Sequence, residues 1–264
     1  MYKECFKIAL GIEYNGSNYH GWQYQKFASS VQEKVELALS IIANHPVRVT
    51  CAGRTDAGVH STGQVVHFCT SSIRNDQAWI LGTNRYLPKD ISVIWKRDVP
   101  MHFHARYSAL SRRYRYILYN NSCRSSIFYQ GLKFYHRILN VEKMNQAAQY
   151  LLGEHDFTTF RSSHCQSKTP FRKILYVNVF CINCLIIIDI VANSFLYHMV
   201  RNIVGCLIEI GISKKKVTWI RDILKFKNRT SSTKIVESNG LYLVQVQYSS
   251  LFKLPICPVG PFFV

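Results

Sequence analysis

The amino-acid sequence predicts an α+β protein in which antiparallel sheets are covered by helices. It divides into two domains of similar character, residues 1–104 and residues 105–264. Three observations carry that expectation. Segments with apolar residues at every second position alternate, in both halves, with segments whose apolar residues recur at helical spacing. The 264 residues are 48% hydrophobic and 18% charged, enough apolar material for one large or two modest cores and too much for a disordered chain. A first series of strand, helix and strands ends near Pro100 and a second begins after it, which places a boundary within 98–110.

Phe6, Ile8, Leu10 and Ile12 alternate with polar or small neighbours, the pattern of a half-buried strand, and Tyr14 to Asn18 reads as a turn. Val31, Val35, Ala38, Leu39 and Ile42 share one helical face, with Ser30 and Glu33 as a capping box at its start. Val47 and Val49 lead into a glycine-rich segment, and Gln64 to Phe68 is the strand that leaves it. Ala78 to Leu81 reads as a short helix stopped by Gly82 and Pro88. In the second half, Tyr114 to Tyr119 is a strand. Met144, Ala147, Ala148, Leu151 and Leu152 define a helix ended by Gly153. Lys173–Phe180 and Cys184–Val191 are two strands joined tightly through Asn183. A long helix then buries Met199, Val200, Ile203, Val204, Leu207 and Ile208, and Leu241–Val246 is the last strand.

Thirty-three Lys+Arg against fifteen Asp+Glu give a net charge of +18, which points to nucleic acid or to an anionic membrane surface, with solubility as the plainer reading. The basic residues are spread along the chain, with clusters at 112–115, 168–173, 201 and 214–234, as suits a folded surface rather than a disordered arm. Residues 1–15 lack a continuous apolar core, so no signal peptide is expected, and the apolar run from Cys184 to Ile188 is too short to span a bilayer. Nine scattered cysteines suit a reducing, cytoplasmic compartment in which most thiols are small core residues. Cys181-x-x-Cys184 reads the same way, without zinc. No GxxxxGKS/T phosphate loop, GxGxxG strand–helix signature or HExxH pair occurs, so no ATP, nicotinamide cofactor or metal is expected.

The chemistry concentrates in Cys51-Ala52-Gly53-Arg54-Thr55-Asp56-Ala57-Gly58-Val59-His60. Glycines at 53 and 58 permit a close approach of a ligand to the backbone. Arg54 is near enough to pair with the Asp56 carboxylate and keep it ionised, and an ionised carboxylate attacks a sugar carbon or stabilises positive charge there. The plainer reading of Asp56 is an Asx-type turn residue. Tyr114, behind Arg112 and Arg113, is placed either to stack on an everted base or to pack across strands. Arg201, near the start of the long helix, holds a carboxylate or a phosphate, or lies on the surface. If the stretch is extended, His102, His104 and Arg106 share one strand face. Arg161 to Lys168 is a polar loop suited to RNA phosphates.

Taken together, these motifs resemble the bacterial tRNA pseudouridine synthase A family over almost the whole chain. The resemblance rests on Gly21-Trp22-Gln23, Gly53 to His60, Phe103-His104-Ala105-Arg106, Arg113-Tyr114-Arg115-Tyr116, His155-Asp156-Phe157 and Phe195 to Asn202. It implies an isomerase, an intramolecular transferase that converts uridine to pseudouridine at positions 38, 39 and 40 in the anticodon stem and loop of tRNAs. It also implies two similar domains forming a basic cleft, a homodimer, tRNA as partner, and no cofactor or metal. By resemblance Asp56 is the nucleophile, Tyr114 stacks on the target base and helps move a proton, Arg201 orients Asp56, and Arg54 keeps the target nucleotide everted. His60, Arg106, Arg161 and Lys168 are further expected substrate contacts. Two departures stand out: Ser61 where members often carry alanine, and the absence from residues 234–240 of the Ala-Pro pair common before the last strand.

Overall fold

A computed structural model describes residues 5–163, 165–227 and 235–262. In chain order the elements are β1 (Phe6–Tyr14), α1 (Val31–Ala43), β2 (Thr50–Cys51), β3 (His60–Thr70), α2 (Thr83–Tyr86), β4 (Ile91–Val99) and β5 (Ala109–Asn120). They continue with β6 (Lys133–Tyr135), α3 (Val141–Ala148), β7 (Gly153–Asp156), β8 (Phe171–Ile182), β9 (Leu185–Ala192), α4 (Met199–Gly211), α5 (Trp219–Phe226) and β10 (Leu241–Tyr248). The fold is α+β and its strands are mostly antiparallel. Contacts divide the chain into two compact units: residues to Leu110 together with those from Tyr242 onward, and Ser111–Leu241. The expected division at 104/105 put the C-terminal segment with the second domain. By contact it goes with the first, because β10 pairs in parallel with β3 through Tyr242↔His60 and Leu243↔Ser61.

In the first unit β1 is central, antiparallel to β3 on one side and β4 on the other. Ile8, Leu10 and Ile12 point into a core with Val35 and Leu39 of α1, Phe68 and Trp79, while Ala9 faces a second core built on Val65, Phe103 and Ala105. The strand is therefore buried on both sides, and its small residues make room for the second layer. A Cβ on Gly11 would run into the Trp95 indole. Ser30 caps α1 as expected, its hydroxyl accepting from the Glu33 amide at 3.3 Å.

Three local expectations fail for identifiable reasons. Gly82 does not stop a helix: it holds right-handed helical angles, and a π-helical turn at Ala78–Gly82 runs into α2. The stop comes at Leu87, extended before Pro88, as the ring of a proline requires of the residue preceding it. Residues 101–107 form turns and no strand, with the His104 ring nitrogen Nδ1 accepting from the amides of Arg106 and Tyr107 at 3.2 Å each. The thiols are not mostly core: none of the nine forms a disulfide and Cys206 alone is fully buried, while Cys181 and Cys184 stand at the β8–β9 hairpin end. Sequence periodicity also passed over β4 and α5. Ile91, Val93 and Val99 of β4 are buried, as are Ile220, Ile223 and Leu224 of α5.

One buried group gives this unit a pH dependence. His67 is 7% exposed, and its Nδ1 accepts from the Ala105 amide at 3.1 Å. Burial, followed by the charges of His104 and Lys7, lowers its pKa from 6.5 to about 4. The folded state thus keeps the ring neutral while the unfolded chain protonates it, so this contribution is complete above pH 6.5 and is lost as pH falls towards 4. Thermal melts of the wild type should lose stability across that window, and His67→Gln should show a shallower decline.

In the second unit β9 lies between β5 and β8, antiparallel to both, and β7 extends the sheet beyond β8. The β8–β9 hairpin turns at Asn183 (φ 54°), a left-handed position that asparagine tolerates. Helix α3 closes in a 3-10 turn, and Gly153, at φ +94°, redirects the chain into β7. Helix α4 buries Met199, Ile203, Val204, Leu207 and Ile210.

Candidate active site

The segment carrying Asp56 sits on a scaffold built from the residues around it. Its entrance is pinned by Gln64, which is fully buried and whose Nε2 donates to the Gly53 carbonyl at 2.7 Å while the Ala52 amide donates to the Val65 carbonyl at 2.8 Å. The turn that follows is closed by main-chain bonding: the Val59 amide donates to the Asp56 carbonyl at 3.1 Å, with Gly58 at φ +75° in the third position, where a left-handed residue is required. The Gly58 amide donates to the Tyr19 carbonyl at 3.2 Å. Thr55 is buried, its hydroxyl 2.8 Å from that of Tyr14 and its carbonyl accepting from the Trp22 amide at 3.0 Å.

Gly21 explains the Gly21-Trp22 pair. At φ +89° it lies directly beneath the loop, where a Cβ would come 2.6 Å from the Thr55 carbonyl oxygen and 3.0 Å from the Asp56 carbonyl carbon. A Cβ on Gly16 would likewise strike the Val59 backbone. With backbone packed on backbone below it, the loop has little room to shift, and the Asp56 side chain, neither buried nor fully exposed, is presented from a fixed support. These supports are the functional residues that motif reading left unexplained.

Of the expected substrate contacts in this unit, Arg54 and Arg106 are both exposed. Both act on one nearby group: burial raises the Cys51 thiol pKa to about 11, against the pull of the two guanidinium charges. Arg106 thus belongs to the neighbourhood of the loop, a proximity the sequence separation hides. His60 is a correction. It is 1% exposed, its Nδ1 accepts from the Gly16 amide at 3.1 Å, and its ring stacks on Tyr242 with centroids 4.7 Å apart. Its place is under the turn and not on the surface.

The second unit brings Arg201 near Tyr116, two residues along β5 from Tyr114. Tyr114, on β5 opposite Ile190, is 9% exposed and meets the edge of Phe195 with centroids 5.0 Å apart. Tyr116, two residues along the same face, is fully buried and donates its hydroxyl to the Glu237 carbonyl at 2.8 Å. Burial raises the Tyr116 pKa well above the usual range, while the charge of Arg201 pulls it back. Arg201 itself donates Nε to the Val236 carbonyl at 2.8 Å. It lies in the first turn of α4, which opens at His198 in a left-handed conformation (φ 63°). That conformation costs a non-glycine residue on the order of 1 kcal/mol, so the entry angle of the helix is held by its surroundings.

The basic cluster at 112–115 offers phosphates less than its composition suggests. On the other face of β5, Arg113 grips Asp189 with two bonds of 2.7 Å, and Arg115 adds a third at 2.9 Å. The Asp189 side chain is 1% exposed, so two guanidinium groups are held by one buried carboxylate. Arg161 is also committed inward, donating to the carbonyls of Cys165 and Ser167 at 2.9 and 2.7 Å, and so shapes its loop. Lys168 on that loop is exposed and bonded to no described residue. His164, within the Arg161–Lys168 loop, and residues 228–234, within the basic cluster at 214–234, lie outside the described residues. Among the described residues no three His, Cys, Asp or Glu side chains gather as a metal site, and no helix is long and apolar enough to cross a membrane.

Comparison with known proteins places this geometry. Residues 11–108 and 147–249 match the model of a family described as tRNA pseudouridine synthase. A Cronobacter sakazakii protein named tRNA pseudouridine synthase A is 54% identical over 262 residues, covering 99% of this chain and 97% of its own. Proteins of the same name from Buchnera aphidicola of Acyrthosiphon pisum and from Vibrio cholerae are 58% and 55% identical. They cover 96% and 98% of this chain and 95% and 98% of their own.

Proposed function

The chain belongs to the tRNA pseudouridine synthase family, enzymes that isomerise uridine to pseudouridine in tRNA, and we propose that its targets are positions 38, 39 and 40 of the anticodon stem and loop. The observation that carries the proposal is a carboxylate, Asp56, presented on a glycine-supported turn within the matched segment, with the arginines 54 and 106 in its neighbourhood.

The target uridine leaves its stack at a cost of a few kcal/mol, repaid roughly by ring stacking and polar contacts, with Tyr114 as the aromatic partner and Arg54 holding the everted nucleotide. Asp56 then assists cleavage of the N1–C1′ bond. It either attacks C1′ to give an ester or removes the 2′ proton to give a glycal, with Arg201 orienting the carboxylate. The detached uracil turns and re-bonds to C1′ through C5, and loss of the C5 proton completes the isomer with no atom gained overall. Retention of the free base keeps hydrolysis from competing.

The surplus of basic residues supplies phosphate contacts that position the RNA in a basic cleft, with Arg106 and Lys168 among the residues serving it. The remaining elements of the proposal are a homodimer, a cytoplasmic location and the absence of any cofactor.

The test is tritium release from tRNA labelled at uracil C5. Release from a tRNA with uridines at 38, 39 and 40 should stop when those three are replaced by cytidine, while uridines elsewhere contribute nothing. Undiminished release from the substituted tRNA would refute the assignment of target positions.

A further inference from the structure

At the far end of β5 from Tyr114, in the same unit, the connection between β5 and β6 folds over a cavity of about 130 Å³. Tyr119, Phe128 and Tyr129 supply aromatic walls, and Arg124, Lys133 and Glu237 supply charge. From these we infer a second RNA-binding site, one that accepts a single pyrimidine nucleotide of the substrate with its base among the rings and its phosphate at Arg124.

The size argument comes first. A cavity of about 150 Å³ accommodates one benzene ring, so this one matches a six-membered base in size. Aromatic walls offer stacking to any base, worth about 1–3 kcal/mol each, and an adjacent cation adds the phosphate contact. The two cations differ in availability. Lys133 is already neutralised by Glu237 at 2.6 Å, whereas Arg124 is exposed and bonded to no described residue. A ligand with one flat ring and one negative charge satisfies both features.

The pocket is distinct from the site of chemistry and tied to it. Tyr119 follows Tyr114 by five residues, about 17 Å along a strand at roughly 3.4 Å per residue, so the two rings address different nucleotides. Yet Glu237, in the pocket wall, also receives the Tyr116 hydroxyl on its backbone carbonyl, and its neighbour Val236 receives Arg201. This is the segment in which the Ala-Pro pair is absent. A nucleotide seated here therefore braces the backbone that holds Arg201.

The inference rests on the reading that the chain acts on RNA, and the test separates the two. Full-length protein is cross-linked by near-ultraviolet light to tRNA transcribed with 4-thiouridine, and the linked peptides are mapped. Cross-links within 119–134 are expected beside those near Tyr114. Arg124→Ala and, separately, Tyr129→Ala should lower the 119–134 yield at least five-fold relative to the Tyr114 yield. Excess uridine 5′-monophosphate should leave the 119–134 cross-link in place if the nucleotide must come with its RNA. Suppression by the free nucleotide at concentrations that spare the Tyr114 cross-link would overturn an RNA site in favour of a mononucleotide one. Cross-links near Tyr114 with none in 119–134 would overturn the pocket and leave the enzymatic reading standing. No cross-links anywhere would overturn both.

Discussion

Asp56→Ala should abolish pseudouridine formation while leaving tRNA affinity within a few-fold of the wild type. Loss of a nucleophile that no neighbour replaces costs on the order of 10⁴-fold or more in turnover. Affinity rests on a different term, the contacts of Lys and Arg with phosphates, and removing one carboxylate from a surface that meets a polyanion relieves repulsion without deleting a contact. The fold should survive, because the turn at Asp56 is closed by the Val59 amide and held by the Tyr19 carbonyl, main-chain bonds that alanine preserves. Tritium release from C5-labelled tRNA, filter binding of the same tRNA and a thermal melt measure the three quantities separately. Asp56→Asn sharpens the result. It keeps the shape and hydrogen-bonding capacity but not the nucleophilic charge, and should be as inactive as the alanine variant. Turnover near the wild-type rate in either protein would remove Asp56 from the chemistry.

Much of this was legible in the residues. Period-two and helical patterns located β1, α1, β3, β5, β8, β9, α4 and β10 because each has a buried face wide enough to leave a signature. β10 was recognised as a strand but assigned to the wrong unit, since which strand pairs with which is decided by long-range contact: its partner β3 lies some 180 positions earlier. The candidate site divided in the same way. Asp56 and its flanking glycines were visible because the turn chemistry is local. The fate of the arginines was not, since a distant acid decides it: Asp189 takes Arg113 and Arg115 out of solvent from a strand more than seventy residues away. His60 misled for a related reason. Its position beside the loop suggested a contact with substrate, whereas the Gly16 amide and the Tyr242 ring draw it inward. Gly16 reads as a turn residue and Gly21 only as part of a motif of the resemblance, and the reason for both lies across space, in the backbone of residues 55–59.

That last point carries a prediction of its own. Gly21→Ala should cost about 10²-fold in turnover and roughly 1–3 kcal/mol in stability, although the residue is neither charged nor polar. Two causes add. At φ +89° an L-residue is strained by about 1–2 kcal/mol, and the new Cβ would sit 2.6 Å from the Thr55 oxygen and 3.2 Å from the Ala57 nitrogen. Those atoms are backbone, so relief comes by moving the loop, and the atoms that move are the ones that place Asp56. A displacement of about 1 Å is enough to cost 10²-fold. Gly82→Ala is the control. Gly82 holds helical angles (φ −60°), and its added Cβ would meet only the flexible Ile42 side-chain tip at 3.1 Å. There alanine should be neutral or stabilising by about 0.4–1 kcal/mol, with turnover unchanged. Tritium release and urea denaturation of the two variants side by side decide the matter. Full activity in Gly21→Ala would mean that the loop tolerates displacement and that the position of Asp56 is set elsewhere.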